Sequence, residues 1–319
     1  MTKIYIANNA QSLQAIRPTH SIEAEFGNDV VEGRHVTLAH HGARAGNPCP
    51  CLEENHFPTK GDTIAISHVD LDTVGGLMAV MGCKPTNAPY FWRLAAAVDI
   101  RGLHKLPEIK QEILDDCVST TYGMTLNSSL TRHNEISCRR DLEAAEEMLN
   151  AYYAFSEAHR IFAPRKVDED PQSLKPVDVT DKVMEHVEAV TRILAGDEDM
   201  IEDGRSWARM KRELEAFSFV NRKGGVVLRD SSEFTNHLYG EGGRCVVALT
   251  RRQPKGNDAV TISLSDPIPG VNCGDVVKGL WGPGAGGKDV IGGSPYDRNM
   301  TMQDAEEAFA KMVELLRNR

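Results

Sequence analysis

One imidazole and two carboxylates fall within five residues in His68-Val-Asp70-Leu-Asp72, a spacing that lets all three converge on a divalent cation. Carboxylate oxygens suit Mn²⁺ or Mg²⁺, and the nitrogen favours Mn²⁺. The same aspartates could instead cap a following helix, because anionic side chains are stabilised at a helix N-terminus. Both readings stand on this stretch alone. A second group, His40-His41-Gly42, carries two adjacent histidines, with Arg44 and Asn47 behind them as anion donors. Adjacent side chains diverge, so one histidine would ligate directly while the other holds a phosphate or an outer contact. A third group, Asp99-Ile-Arg101-Gly102-Leu-His104, adds a carboxylate, a guanidinium and an imidazole.

Each group follows an apolar run. Thr63–Ser67 alternates like a strand, and helical spacing over Val74–Met81 puts His68, Asp70 and Asp72 just past the strand's carboxyl end. Val36–Ala39 leads into the histidine pair in the same way, and Arg93–Val98 reads as a strand leading into Asp99. Lys3–Ala7 and Ser21–Phe26 complete the strands of this half. Open parallel sheets bind ligands along the rim of strand carboxyl ends, so three such ends predict one shared site.

Residues 106–217 change character, with helical patterns over Leu106–Cys117, Arg139–His159, Val179–Leu194 and Ser206–Glu215. Leu142, Ala145, Met148, Leu149, Tyr152 and Tyr153 share one face, which reads as core. His133, His159 and His186 read as ordinary helix or turn residues, and Asp168-Glu-Asp170 as a solvated run. Strands return at Gly225–Leu228, Arg244–Thr250 and Val260–Ser265, followed by a short helix at Cys273–Leu280 and a closing helix over Met302–Arg319. Between those helices, residues 282–298 are rich in glycine. Backbone N–H groups of such a loop can approach an anion closely, and Lys288, Ser294 and Arg298 can add charge and hydrogen bonds. The spacing is neither that of a Walker loop nor that of a dinucleotide fingerprint.

The fold class expected is therefore α/β: a parallel-sheet metal-binding domain (1–105), a helical connector (106–217) and a smaller α/β substrate-binding domain (218–319). With 319 residues, two or more cores are expected. No apolar window of about 18 residues offers a membrane span, and the N-terminus reads as a strand rather than a signal peptide. Seven scattered cysteines argue for a reducing compartment, so a cytoplasmic location is expected. Cys49-Pro-Cys51 has no second cysteine pair at finger spacing, which argues against a zinc site. A net charge of −10 suits a small anion in a locally positive pocket better than a long nucleic-acid footprint.

The two ends of the chain together resemble the DHH phosphoesterase superfamily, in its RecJ-like and oligoribonuclease-like forms. His68-Val-Asp70-Leu-Asp72, followed by Thr73-Val-Gly75-Gly76, resembles the acidic strand-end motif. Residues 284–293, Gly-Ala-Gly-Gly-Lys-Asp-Val-Ile-Gly-Gly, resemble the glycine-rich loop of the DHH-associated domain. That likeness extends over Val226–Asn318. It implies two Mn²⁺ ions, with Mg²⁺ as the alternative, and a substrate phosphate clamped between two domains. His68, Asp70 and Asp72 carry over as ligands, and Asp99 looks like the lone bridging aspartate. The naming Asp-His-His triplet does not follow Asp99. His40-His41 is the favoured substitute, in an atypical motif order, and His104 the other. Lys288 stands where the loop usually has histidine, which keeps a phosphate donor and removes a proton carrier near neutral pH.

The expected activity is metal-dependent hydrolysis of a small phosphorylated substrate or a short oligonucleotide, linear or cyclic, by two-metal activation of water. Asp70 is the leading catalytic residue, with His41 or His104 completing coordination or protonating the leaving oxygen. Arg44, Arg101, Asn236, His237, Gly286, Gly287, Lys288, Ser294 and Arg298 are the candidate substrate contacts. The rivals are a catalytically silent binder of a nucleotide or phosphorylated ligand and a single-strand exonuclease, although no interleaved basic and aromatic run supports the latter. A homodimer is compatible with this reading, but no heptad pattern persists long enough to argue for one.

Overall fold

The structure is a computed structural model that describes residues 2–7, 9–24, 36–41, 44–56, 61–122, 128–161, 175–254 and 256–317. Phe26, Gly42 and the Asp168–Asp170 run lie outside those residues. The architecture is mixed α/β with two sheets. Contacts divide the chain into two units, Met1–Arg101 with Lys105–Ala208, and Gly102–His104 with Arg209–Arg319. No helix among the described residues is long and apolar enough to cross a membrane.

In the first unit β1 (Lys3–Ile6), β2 (His20–Ile22), β3 (Val36–Leu38) and β4 (Thr63–Ile66) run parallel, in the order β3-β2-β4-β1. β5 (Val177–Asp178) adds to the edge of β1, antiparallel. Ile64, Ala65 and Ile66 are fully buried, as expected of a parallel strand covered on both faces. Register sets up the site: Ile22 pairs with Leu38 and with Ile66, so the chain leaves β2, β3 and β4 at one level.

The helices of this unit are α1 (Ala10–Ile16), α2 (Leu71–Val80), α3 (Pro89–Arg101), α4 (Leu106–Tyr122), α5 (Ser128–Ala158), α6 (Thr180–Leu194) and α7 (Glu198–Phe217), whose last turns enter the second unit. The segment expected as a strand at Arg93–Val98 is the body of α3. Pro89 occupies the first helical position, where its missing N–H costs nothing, and three consecutive alanines favour helix over strand. Phe91, Trp92, Leu94, Ala95, Ala96 and Val98 are its buried positions. Asp99 consequently comes from a helix end rather than a strand end.

In the second unit β6 (Phe219–Lys223), β7 (Val226–Ser231), β8 (Cys245–Thr250), β9 (Ala259–Leu264), β10 (Gly286–Lys288) and β11 (Ile291–Gly293) form a sheet in the order β10-β11-β9-β8-β7-β6. β7 and β8 are parallel and the other pairings antiparallel. α8 (Cys273–Trp281) and α9 (Met302–Leu316) cover it, burying Val277, Phe309 and Met312 against Leu228, Val247 and Ile262.

Candidate metal centre

Immediately past the aligned ends of β2, β3 and β4 stand Glu23, His40-His41 and His68. Glu23 Nα–H donates to the Leu38 carbonyl (2.8 Å), and its φ of 55° turns the chain sharply off the sheet. That left-handed conformation is uncommon for a residue with a side chain. Here it drives a carboxylate inward to 5% exposure. His40 Nε2 lies 3.0 Å from Asp99 Oδ2, 3.4 Å from Asp72 Oδ2 and 3.8 Å from Glu23 Oε1. His41 Nε2 lies 3.3 Å from Glu23 Oε2 and 3.8 Å from Asp99 Oδ2. The donor atoms of Glu23, His40 and His41 fall within 4.8 Å of one another, as do those of His40, Cys49, Asp72 and Asp99.

The chemistry of this group is that of a cation site. Both Glu23 carboxylate oxygens, His40 Nε2, Asp72 Oδ2 and Asp99 Oδ2 are buried without a hydrogen-bond partner. Several unpartnered anionic oxygens packed around a nitrogen lone pair are costly unless protons or a cation compensate. Burial, followed by the charges of Asp72, Asp70 and Asp99, pushes Glu23 up to about 8. Burial, then Asp70 and Asp72, pushes Asp99 up to about 7. Burial pushes Asp72 to about 6, opposed by the Cys51 thiol and then by the Cys51 amide, which donates to its Oδ1 at 2.9 Å. The residues present therefore fit a divalent ion, with carboxylate and imidazole donors of the kind Mn²⁺ accepts.

His68 and Asp70 face each other instead. His68 Nε2 is 2.8 Å from Asp70 Oδ2, and Ser67 Oγ is 2.6 Å from His68 Nδ1. The other Asp70 oxygen accepts Thr73 N–H at 2.8 Å, so Asp70 is the N-cap of α2. Burial alone would lower the His68 imidazole, but Asp70, with the charges of Glu23 and Asp99, lifts it above its usual value. Burial would likewise raise Asp70, and His68 and the Thr73 amide hold it below the carboxylate range.

The remaining expected contacts are distributed. Arg44 N–H donates to the His41 carbonyl (3.0 Å), beginning the turn in which Asn47 Nδ2 reaches the Ala39 carbonyl (3.3 Å). Arg101 is engaged by Glu112 (2.5 Å) and Glu108 (3.6 Å). His104 belongs to the second unit, where its Nε2 is 3.1 Å from the Ser265 carbonyl and its ring packs on Tyr239; it is not in either donor group. Ser294 Oγ accepts Val260 N–H, Arg298 pairs with Asp304, and the Asn236 carbonyl accepts Ser263 Oγ–H, leaving Asn236 Oδ1 buried without a partner. His237 stacks against Phe234. Gly286, Gly287 and Lys288 form a hairpin with β11 rather than an open loop. A Cβ on Gly287 would sit 2.1 Å from the Ile291 carbonyl oxygen, and one on Gly292 2.5 Å from that of Cys273, so close packing accounts for these glycines.

Glu23 was not legible as a site residue: one carboxylate after a three-residue strand forms no motif. Only the pairing of β2 with β3 and β4 places it. No family profile matches the chain, and no curated protein matches it. Among solved structures, a pGpG-specific phosphodiesterase, PggH from Vibrio cholerae, is similar over 43% of this chain and 50% of its own, at 15% identity with a TM-score of 0.32. This chain thus spans half the length of that protein. An uncharacterized protein from Helicobacter pylori G27 is similar over 100% of this chain and 83% of its own, at 12% identity with a TM-score of 0.22. Likenesses this weak carry no argument about the chemistry, which rests on the geometry above.

Proposed function

We propose that this chain is a metal-dependent phosphoesterase acting on a small phosphorylated substrate or a short oligonucleotide, linear or cyclic. The observation that carries the reading is the convergence of Glu23, His40, His41, Asp72 and Asp99, with buried donor atoms of Glu23, His40, Asp72 and Asp99 lacking hydrogen-bond partners. In the proposal these five would hold two divalent ions, Mn²⁺ by preference, and Asp99 faces both histidines. Bound ions would supply a water acidified to near neutral pH and neutralise phosphoryl oxygens. His68, held in orientation by Asp70 and half exposed, is the imidazole placed to hand a proton to the departing oxygen. Arg44, in the turn after His41, is the nearest guanidinium in sequence for a non-bridging oxygen. The net charge of −10 favours a compact anion over a long strand.

The test is Mn²⁺-dependent hydrolysis of bis-p-nitrophenyl phosphate. The expected result is turnover that chelator abolishes and that Asp99→Asn and Asp72→Asn each reduce by at least about a hundredfold, with the fold retained by circular dichroism. Turnover indifferent to chelator and to both substitutions overturns the proposal.

A further inference from the structure

The turn Cys49-Pro50-Cys51 is built against this centre, and its two thiols behave alike. Cys49 S–H donates to the Ala96 carbonyl at 3.7 Å and Cys51 S–H to the Trp92 carbonyl at 3.8 Å, so both fasten to α3, one helical turn apart. The turn also lies on α2 at positions where no side chain fits. A Cβ on Gly75 would fall 2.5 Å from Cys51 Cβ, and one on Gly76 2.6 Å from Pro50 Cβ. Buried Lys84 closes its far side by donating to the Cys51 carbonyl (2.7 Å) and to that of Glu53, with Trp92 5.3 Å beneath the ammonium.

Cys49 Sγ lies 3.7 Å from His40 Nδ1. A carbonyl oxygen can only accept, so the single thiol proton belongs to the Ala96 contact. The one arrangement that satisfies both contacts has His40 Nδ1–H donating to the sulfur. His40 is then the Nδ1–H tautomer, and Nε2 turns a bare lone pair toward Asp99, Asp72 and Glu23. Nδ1 and Nε2 lie on different edges of the imidazole, so a sulfur held at Nδ1 meets His40 at another edge than an ion bound at Nε2 would, although Cys49 Sγ also belongs to the donor group of His40, Asp72 and Asp99.

We infer that Cys49 is a positioning residue that fixes the tautomer and ring orientation of His40, while the Cys51 amide does the same for Asp72 through its Oδ1. The 49–51 turn is thus the outer bracket of the centre, with a thiol in the place usually taken by a carboxylate or carbonyl. The inference rests on the metal-centre reading for its purpose, but the tautomer itself can be read without metal.

The test uses the full chain and two measurements. In the metal-free protein, long-range ¹H–¹⁵N correlation of the imidazoles, with His40→Gln for assignment, is expected to give His40 as the Nδ1–H tautomer. With Co²⁺ alone as the probe, visible d–d bands report binding and near-ultraviolet charge transfer reports sulfur ligation. The parent is expected to show d–d bands without sulfur charge transfer. Cys49→Ala should weaken Co²⁺ about 10–100-fold and mix the tautomers. Cys49→Ser, which keeps a donor and an acceptor, should recover most of the affinity and the Nδ1–H form. A charge-transfer band lost in Cys49→Ser makes Cys49 a direct ligand and overturns the inference. An Nε2–H tautomer in the parent overturns it too, even if neither variant folds. Failure of the parent to bind Co²⁺ with His40 still Nδ1–H removes the metal reading and leaves the Cys49–His40 contact standing.

Discussion

Glu23→Gln should make the metal-free protein more stable while destroying its response to metal. A carboxyl raised from 4.5 to about 8 stays protonated in the fold near neutral pH, whereas in the unfolded chain it ionises. The native state therefore binds more protons, and the stability associated with this group is full below about 4.5 and is lost as the pH rises toward 8. Each pH unit above 4.5 costs about 1.4 kcal/mol, so the cost reaches about 3 kcal/mol near pH 7 and is under about 1 kcal/mol near pH 5. Glutamine has nearly the shape of a protonated glutamate, keeps the same backbone turn at φ 55°, and needs no proton uptake. Urea unfolding with chelator present, followed by tryptophan fluorescence, reads the first unit through Trp92 and Trp207. The variant should exceed the parent by about 3 kcal/mol near pH 7 and converge with it near pH 5. Added Mn²⁺ should stabilise the parent, by about 2.7 kcal/mol at a hundred times its dissociation constant, and leave the variant unchanged. Equal stabilities near pH 7, or a difference that does not shrink on acidification, would refute the reasoning.

Three further outcomes are expected. Protons held by Glu23, Asp99 and Asp72 must leave when an ion binds, so Mn²⁺ affinity measured by calorimetry should rise from about pH 6 to about pH 8 and then level, with proton release varying between buffers. Gly287→Ala forces a backbone shift at the β10–β11 hairpin and should destabilise the second unit by about 1–3 kcal/mol, read through Trp281. Asp70→Ala removes the α2 cap, costing about 1 kcal/mol in thermal unfolding, and should drop the His68 imidazole titration, followed by NMR, toward its ordinary range.

The α/β class was legible because β4 and β3 are short apolar runs that end abruptly in ionisable residues. The convergence of His40, His41 and Asp72 follows from that pattern once the strands are parallel. The route to Asp99 was misread: an apolar run as short as Arg93–Val98 fits strand or helix, and the deciding signals, Pro89 and the alanine triplet, are helical ones. Glu23 depended on register, which no local window carries. The glycines of residues 284–293 invite an anion-cradle reading, yet Gly287 and Gly292 are needed where β10 and β11 meet each other and α8. His104, Ser294 and Arg298 were legible as polar groups in loops, but their hydrogen-bond partners, Ser265, Val260 and Asp304, were not.

The two-residue strand β5 has a bearing on how much of the chain could be dispensed with. Thr180 Oγ accepts Ile4 N–H, and Lys3 pairs with Asp178, so the polypeptide returning from α5 is stitched along the outer margin of β1. Without that seam β1 would present a bare row of amides and carbonyls to any passing chain. A version shortened by excision of residues 106–180 would keep every proposed ligand and still be expected to self-associate into aggregates, because the helical half also serves as the sheet's selvedge.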